Sequence, residues 1–537
     1  MNRFTPVSWR ADLKGGLSAA AVALPLGLAF GVVSGAGPVA GLYCAICTGF
    51  FAAIFGGTPA QIAGPTGPIA IVMASVFLQF SGQPAAAMGV VMLAGLTQVL
   101  FGALHLGRYI SLIPYPVISG FGSGVGCIII VMQFNPLLGQ PSVTDTVIAV
   151  RSLPESISNI NLWALGAASL SFAACHLVPR KLRSICPAEL IVLIGGTLLI
   201  SILGIQVPLL NAPETLFPTI SWPPLMSLPW KDMWVAALAL ALISSLDSLV
   251  TSMVADTASQ NFHDSDQELV GQGIGNLVAS LLGTIPGAGS MSRTMANIRS
   301  GGVSPLSGVF HSLFLLVLLF VAGDLIQFIP SALVSGILIH IGIQSIDWTY
   351  IKRFPYAPRS GVLIMLVVWV LAVFINVVTA VAVGVIMASL GLVKRMADIE
   401  LETVKLTTDD NTDVHLTHEE RASLTESAGA TLLINLGGPL TFGAANGLMK
   451  RLGNIGQHKS VVLDLSEVSH IDDSTAFAFE NIIRRAQNND QHVILVGLHK
   501  PVIRIFVRTG LLPLIRECVR FRNRLDGLNY AKHVPRN

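Results

Sequence analysis

Charge is scarce in this sequence. Only 12% of its 537 residues are Asp, Glu, Lys or Arg, about half the ~25% usual for a soluble domain. So few charges cannot clothe a water-facing surface of this size, which excludes a string of soluble domains. Basic clusters are missing too. With 32 Lys and Arg against 30 Asp and Glu, the net charge is +2 and a nucleic-acid partner is not expected. The six cysteines, Cys44, Cys47, Cys127, Cys175, Cys186 and Cys518, lie mostly within apolar runs and form no disulfide framework. Cys44 and Cys47 have CxxC spacing but lack the second ligand pair a metal site needs. No nucleophile–base pair or phosphate loop stands out, so neither an enzyme nor an organic cofactor is expected. The polar start runs into apolar sequence without a small-residue cleavage site, so no cleavable signal peptide is expected.

Apolar sequence is what the chain has in abundance. Hydrophobic residues make up 52%, and the mean hydropathy is +0.69. Hydropathy predicts about 14 membrane segments. They lie near 14–34, 38–57, 64–80, 85–104, 113–133, 161–178 and 187–207, then 233–255, 269–284, 288–300, 304–323, 325–346, 361–376 and 377–396. The third and tenth are too short to span as ordinary helices. With the N-terminus inside, the inner loops carry Arg108, Arg180, Lys181, Arg183, Lys352, Arg353, Arg359, Lys394 and Arg395, and the outer loops only Arg151 and Lys231. This asymmetry predicts an inner-membrane protein with both termini cytoplasmic.

Composition changes after Arg395. Residues 1–397 are read as the transmembrane domain. Residues 398–427, rich in acids and threonine, are expected to be a solvated linker in which His415 and His418 are surface residues. From 428 to 537 the pattern is α/β. ATLLINL, SVVLDLS and HVILVGL read as buried strands between helical stretches 443–454, 474–488 and 500–508.

The short third and tenth segments are each broken by Gly and Pro, PTGPIAIVMASV at 65–76 and PGAGSMSRTMANI at 286–298. Paired breaks at corresponding positions point to a transporter binding site. A half-helix starting at membrane depth presents unpaired N–H groups and the positive end of its dipole to an anion. Thr66 can cap the first half-helix or donate to an oxyanion, with Gly67 beside it. Gly287, Gly289 and Ser290 hold the matching place in the tenth segment. Asp247 sits in an apolar helix with Thr251 one turn later, on the same side. An intramembrane carboxylate is costly and marks function. A hard cation such as sodium takes oxygen ligands, which Asp247, Thr251 and the carbonyls near Gly289, Ser290 and Met291 could supply. Proton coupling through Asp247 and an ion pair with Arg293 are the alternatives. Arg293 could instead pair with Asp256 or a loop carbonyl. His311 and His340 read as inter-helix hydrogen bonders, and Glu189 and Glu268 as carboxylates at helix starts.

Four stretches, 23–43, 55–74, 244–276 (including ELVGQGIGN) and 283–302, resemble the SulP family, the bacterial relatives of the animal sulfate and chloride–bicarbonate exchangers. The C-terminal region resembles their STAS domain. Within the family the pattern is similar to that of sodium-dependent bicarbonate transporters of cyanobacteria. The resemblance implies a mostly α membrane protein of two inverted seven-segment repeats, forming core and gate domains, plus a cytoplasmic α/β STAS domain. It implies a secondary anion transporter, here sodium-coupled bicarbonate symport by an elevator movement. A proton-coupled dicarboxylate or sulfate symporter, an anion channel, and a sensor signalling through STAS are the alternatives. Thr66, Gly67, Gly289, Ser290 and Arg293 would meet the anion. Leu26 stands where animal sulfate transporters tend to carry Gln, which favours bicarbonate or a small carboxylate over sulfate. The expected partners are the anion, sodium, membrane lipid, a second copy in a homodimer, and a cytoplasmic regulator on STAS. Ser474 in HIDDSTAFAF aligns with a serine phosphorylated in anti-sigma-factor antagonists, although an N-cap formed by Asp473 or Ser474 is the plainer role.

Overall fold

The structure, a computed structural model, describes residues 9–534 apart from 111–112, 144, 180–181, 183–186, 211–228, 376, 409–414 and 442–457. It divides into two compact units, Met1–Ile386 and Met387–Asn537.

Each expected membrane segment contains a helix. They are α1 (Trp9–Val33), α2 (Pro38–Phe55), α3 (Gly67–Gln79), α4 (Pro84–Ala103), α5 (Tyr115–Met132), α6 (Leu162–Leu177) and α7 (Ala188–Leu203). The second seven are α8 (Trp230–Ser259), α9 (Ser265–Leu281), α10 (Met291–Arg299), α11 (Pro305–Ala322), α12 (Ser331–Ser345), α13 (Arg359–Phe374) and α14 (Val377–Glu402). Among the described residues, seven helices are long and apolar enough to cross a membrane. Proline near the first turn opens α2, α4 and α11, where the missing N–H costs nothing. The short third and tenth segments are each preceded by two residues of strand, β1 (Ala63–Gly64) and β2 (Ala288–Gly289). These pair antiparallel, Ala63 with Gly289 and Gly64 with Ala288. The sequence reading expected irregular backbone here and not strands. Two residues carry no alternation to read, and only the partner strand makes them extended.

Packing sorts the helices into two bundles. In one, α9 lies against α2 and α4, α1 against α2, α10 and α11, and α8 against α4 and α10. In the other, α5 packs on α12 and α13, and α6 on α7 and α12. The first bundle, the core, takes in α1, α2, α4 and α8 to α11, and the second, the gate, takes in α5 to α7, α12 and α13. Glycine lets core helices touch backbone to backbone, for a Cβ on Gly273 would stand 2.6 Å from the Gly95 carbonyl oxygen. At one end of the gate, Asp347 accepts hydrogen bonds from Tyr115 (2.6 Å), Ser119 (2.7 Å) and the Tyr350 N–H (2.9 Å).

The second unit is an α/β domain. Its sheet runs in the order β3 (Lys405–Thr407), β4 (Thr431–Leu440), β5 (Ser460–Ile471), β6 (His492–Val496), β7 (Val519–Phe521), with only β3 antiparallel to its neighbour. One face is covered by α16 (Asp473–Asn488), α17 (Lys500–Arg508) and α18 (Leu512–Glu517), the other by α15 (His418–Glu426) and α19 (Arg524–Lys532). The expected helix at 443–454 lies outside the described residues. The expected linker is corrected. Residues 398–402 continue α14, β3 is an edge strand of the sheet, and α15 starts with a Thr417–Glu420 capping box. Two of their acids take backbone N–H groups, Glu420 in that capping box and Glu400 at Thr441. His418 opens α15, and the His415 carbonyl accepts from Arg524.

Candidate anion and cation site

The site is built around the strand pair. β1 leads into Thr66, whose extended backbone (φ −124°, ψ 161°) ends at α3. Its hydroxyl does not cap the helix. Thr66 Oγ1 is buried, has no partner at full hydrogen-bond geometry, and lies near the Asp247 carboxylate. Gly67 begins α3 facing the gate, since a Cβ there would meet Ile129 at 2.9 Å, Val125 at 3.4 Å and Phe30 at 3.6 Å.

On the opposite side the expectation needs correcting. The N–H of Gly289 donates to Ser248 Oγ at 3.0 Å, and that of Ser290 to the Ile62 carbonyl at 3.0 Å. Both groups are spent on the fold, because a two-residue strand at this depth must satisfy its own backbone. The N–H groups of Met291, Ser292 and Arg293, in the first turn of α10, have no backbone acceptor among the described residues. The free positive helix end therefore begins one residue later than expected. Ser290 Oγ stays beside Ser292 Oγ at 3.3 Å.

Arg293 is fully buried. Its Nη2 donates to the Pro65 carbonyl at 2.8 Å, while Nε and Nη1 have no partner. It clamps the turn that opens α3, with Nη1 2.7 Å from where a Cβ on Gly64 would stand. The suggested partner Asp256 is engaged by His263 at 2.6 Å. A hydrogen-bonded ion pair with Asp247 is also not formed, since Asp247 Oδ2 has no partner. Arg293 and Thr66 nevertheless lie within electrostatic reach of that carboxylate.

Thr251, one turn beyond Asp247 on α8, donates its hydroxyl to the Gly289 carbonyl at 3.1 Å. Two of the proposed cation ligands, the Thr251 hydroxyl and the Gly289 carbonyl, thus meet, with Asp247 one turn away on α8. The Met291 side chain is exposed (47%), leaving only its carbonyl for such a role.

Several polar residues around the site, apart from Glu268 with its expected place at a helix start, escaped the sequence reading. Ser248 holds Gly289, and Gln61 lies so close to Gly289 that a Cβ there would stand 2.6 Å from its Cδ. Asn276 and Glu268, two turns apart on α9, bond the segments ahead of β2 and β1 respectively. The signal was present in ELVGQGIGN, whose polar residues recur every four positions in apolar surroundings. His340 hydrogen-bonds Gln344 one turn along its own helix at 2.7 Å and faces Glu189 of α7 at 3.8 Å. His311 departs from expectation, for neither ring nitrogen has a partner. Cys44 and Cys47 are buried as small hydrophobes. In the C-terminal unit the cap of α16 is Asp472, which accepts the Thr475 N–H at 2.8 Å. Asp473 instead pairs with Arg508 at 2.5 Å, and Ser474 lies in the first turn.

The sulfate permease family model fits residues 9–368, two thirds of the chain. The chain belongs to the sulfate permease family. This family member also matches the STAS domain model over 422–527. It is 38% identical over 500 residues to the bicarbonate transporter BicA of Picosynechococcus sp., covering 91% of this chain and 88% of that one. With BicA of Synechocystis sp. it shares 37% over 528 residues, covering 97% and 94%. The solved transmembrane domain of a cyanobacterial BicA is 38% identical, superposes with a TM-score of 0.64 and covers 71% of this chain and 99% of its own. The overall structure of SLC26A9 matches at a TM-score of 0.80 with 20% identity, covering 97% and 90%, which speaks for the fold. The chain is a membrane anion transporter of this family, mostly helical, with a C-terminal STAS domain.

Proposed function

We propose that this transporter carries bicarbonate inward together with sodium, by movement of the core against the gate. The observation that carries the reading is the convergence of Thr251 on the Gly289 carbonyl, one turn from a carboxylate oxygen of Asp247 that has no partner. A partly desolvated, unpaired carboxylate beside a hydroxyl and a carbonyl suits a hard cation. Bound there, the cation would neutralise Asp247 next to the Thr66 hydroxyl, and the anion would then meet Thr66, Gly67 and the free first-turn N–H groups of α10 without a facing negative charge. Arg293 adds positive potential from behind the strand pair. This order gives a physical reason for coupling, since each solute lowers the electrostatic cost of the other. The names of the two BicA relatives support bicarbonate. The reading includes an inner-membrane location with both termini cytoplasmic, residues 1–397 as the transport domain, a homodimer surrounded by lipid, and regulation through STAS, with Ser474 as a candidate modification site.

The test is uptake into proteoliposomes of labelled bicarbonate, sulfate and fumarate, each with and without a sodium gradient. Bicarbonate uptake that requires sodium supports the proposal. Uptake of sulfate or fumarate driven by a proton gradient alone would replace it with the proton-coupled alternative.

A further inference from the structure

α9 carries Glu268, Gln272 and Asn276 four residues apart, a single polar stripe along a buried helix face. At one end Glu268 accepts the N–H groups of Gly57 and Thr58, both at 2.9 Å, and Gln61 Nε2 at 2.7 Å. Gln272 completes its shell at 2.9 Å. Four neutral donors replace water around this buried carboxylate, and no Lys or Arg is among them. At the other end the amide of Asn276 grips both backbone groups of Gly287. It accepts the N–H at 2.7 Å and donates to the carbonyl at 3.1 Å, and its Nδ2 also donates to Gln98 at 2.6 Å.

These two attachment points are the approaches to β1 and β2. Gln61 ties them together. Its Nε2 is committed to Glu268, which turns its Oε1 toward Ser252 on α8 at 2.9 Å. Ser248, one turn earlier on the same helix, holds the Gly289 N–H. A ring of hydrogen bonds thus runs from α9 through both strand approaches to α8. We propose that Glu268 and Asn276 are positioning residues acting jointly. The stripe sets the spacing between the starts of α3 and α10, and with it the affinity for cation and anion together. This rests on the site reading given above.

The experiment uses the full chain in lipid nanodiscs and proteoliposomes. Asn276→Asp keeps the shape and the Gly287 N–H bond but loses both amide donor bonds. Glu268→Gln keeps the shape but places an amide donor against donors. Amide exchange is read at 61–64 and 287–290, and half-saturation is measured for sodium and for whichever anion the wild type carries. Each variant is expected to speed exchange in both segments by about ten-fold, the effect of losing roughly one buried hydrogen bond. Each should also raise both half-saturation points several-fold, with the maximal rate changing less. Asp12→Ala, which cuts the separate tie of α1 to the start of α11, should lower thermal stability and move neither readout. Faster exchange only in the segment next to the altered residue, or lost stability with unmoved half-saturation, would overturn joint positioning. Should Glu268→Gln fold poorly, Asn276→Asp decides. A wild type that carries neither bicarbonate nor sodium would refute the proposed substrates, while the exchange measurement still judges the stripe.

Discussion

Thr251 donates its hydroxyl hydrogen to the Gly289 carbonyl across 3.1 Å, joining α8 to the strand that precedes the second half-helix. That contact links the carboxylate helix to the backbone of the proposed anion site, so changes on α8 should be felt by both proposed solutes. Thr251→Ala should raise the sodium half-saturation roughly two- to ten-fold, corresponding to about 0.5–1.5 kcal/mol for one hydrogen bond. Asp247→Asn, which removes the charge while keeping the shape, should abolish sodium-dependent uptake in a protein that still melts cooperatively. Sodium-driven uptake at the wild-type rate in this variant would remove Asp247 from the coupling role.

Gly289 is required for a reason other than access of an oxyanion. A Cβ there would stand 2.6 Å from Gln61 Cδ, so Gly289→Ala should cost about 1–3 kcal/mol by overpacking. Because the clash is with one side chain, Gly289→Ala combined with Gln61→Ala should be less destabilising than the sum of the two single changes. Melting temperatures of the three variants check this, and strict additivity would count against it.

Thr66 and Arg293 separate ligand contact from clamping. Thr66→Val keeps the shape and removes an unpartnered hydroxyl. It should therefore weaken anion binding by about 1–2 kcal/mol with little change in melting temperature. Arg293→Gln loses the bond to the Pro65 carbonyl and should lower both stability and affinity. Binding and melting measured side by side would show whether the two substitutions differ in this way.

At one end of the gate, Asp347 is expected to give a pH-dependent contribution. Burial disfavours its charge, but the Tyr115 and Ser119 hydroxyls and backbone N–H groups outweigh that and hold its carboxyl below the ordinary carboxylate range. A depressed carboxyl stabilises the fold above its unfolded value, about 3.9, and that contribution fades as pH falls through the lower folded value. Wild type should therefore melt above Asp347→Asn at neutral pH, and the gap should close below about pH 4. A gap independent of pH would mean that the carboxylate charge contributes nothing there.

The sequence by itself determined the solvent and the sequence of segments. Each of the 14 apolar stretches holds a helix, the third and tenth are short and broken, and Asp247 and Thr251 share a helix face. Those properties are local, since apolar run length, proline and glycine placement, and helical spacing need no partner to be read. The sequence also carried the family's mark in ELVGQGIGN without revealing what its polar residues bond. Only the tertiary structure decided which backbone groups remain free. Ser248 and Ile62 take the Gly289 and Ser290 N–H groups, Arg293 turns to Pro65, and two-residue strands form because Ala63 meets Gly289 from the other half of the chain. Each is a contact between residues far apart in sequence, in a membrane interior where backbone groups must find partners within the protein.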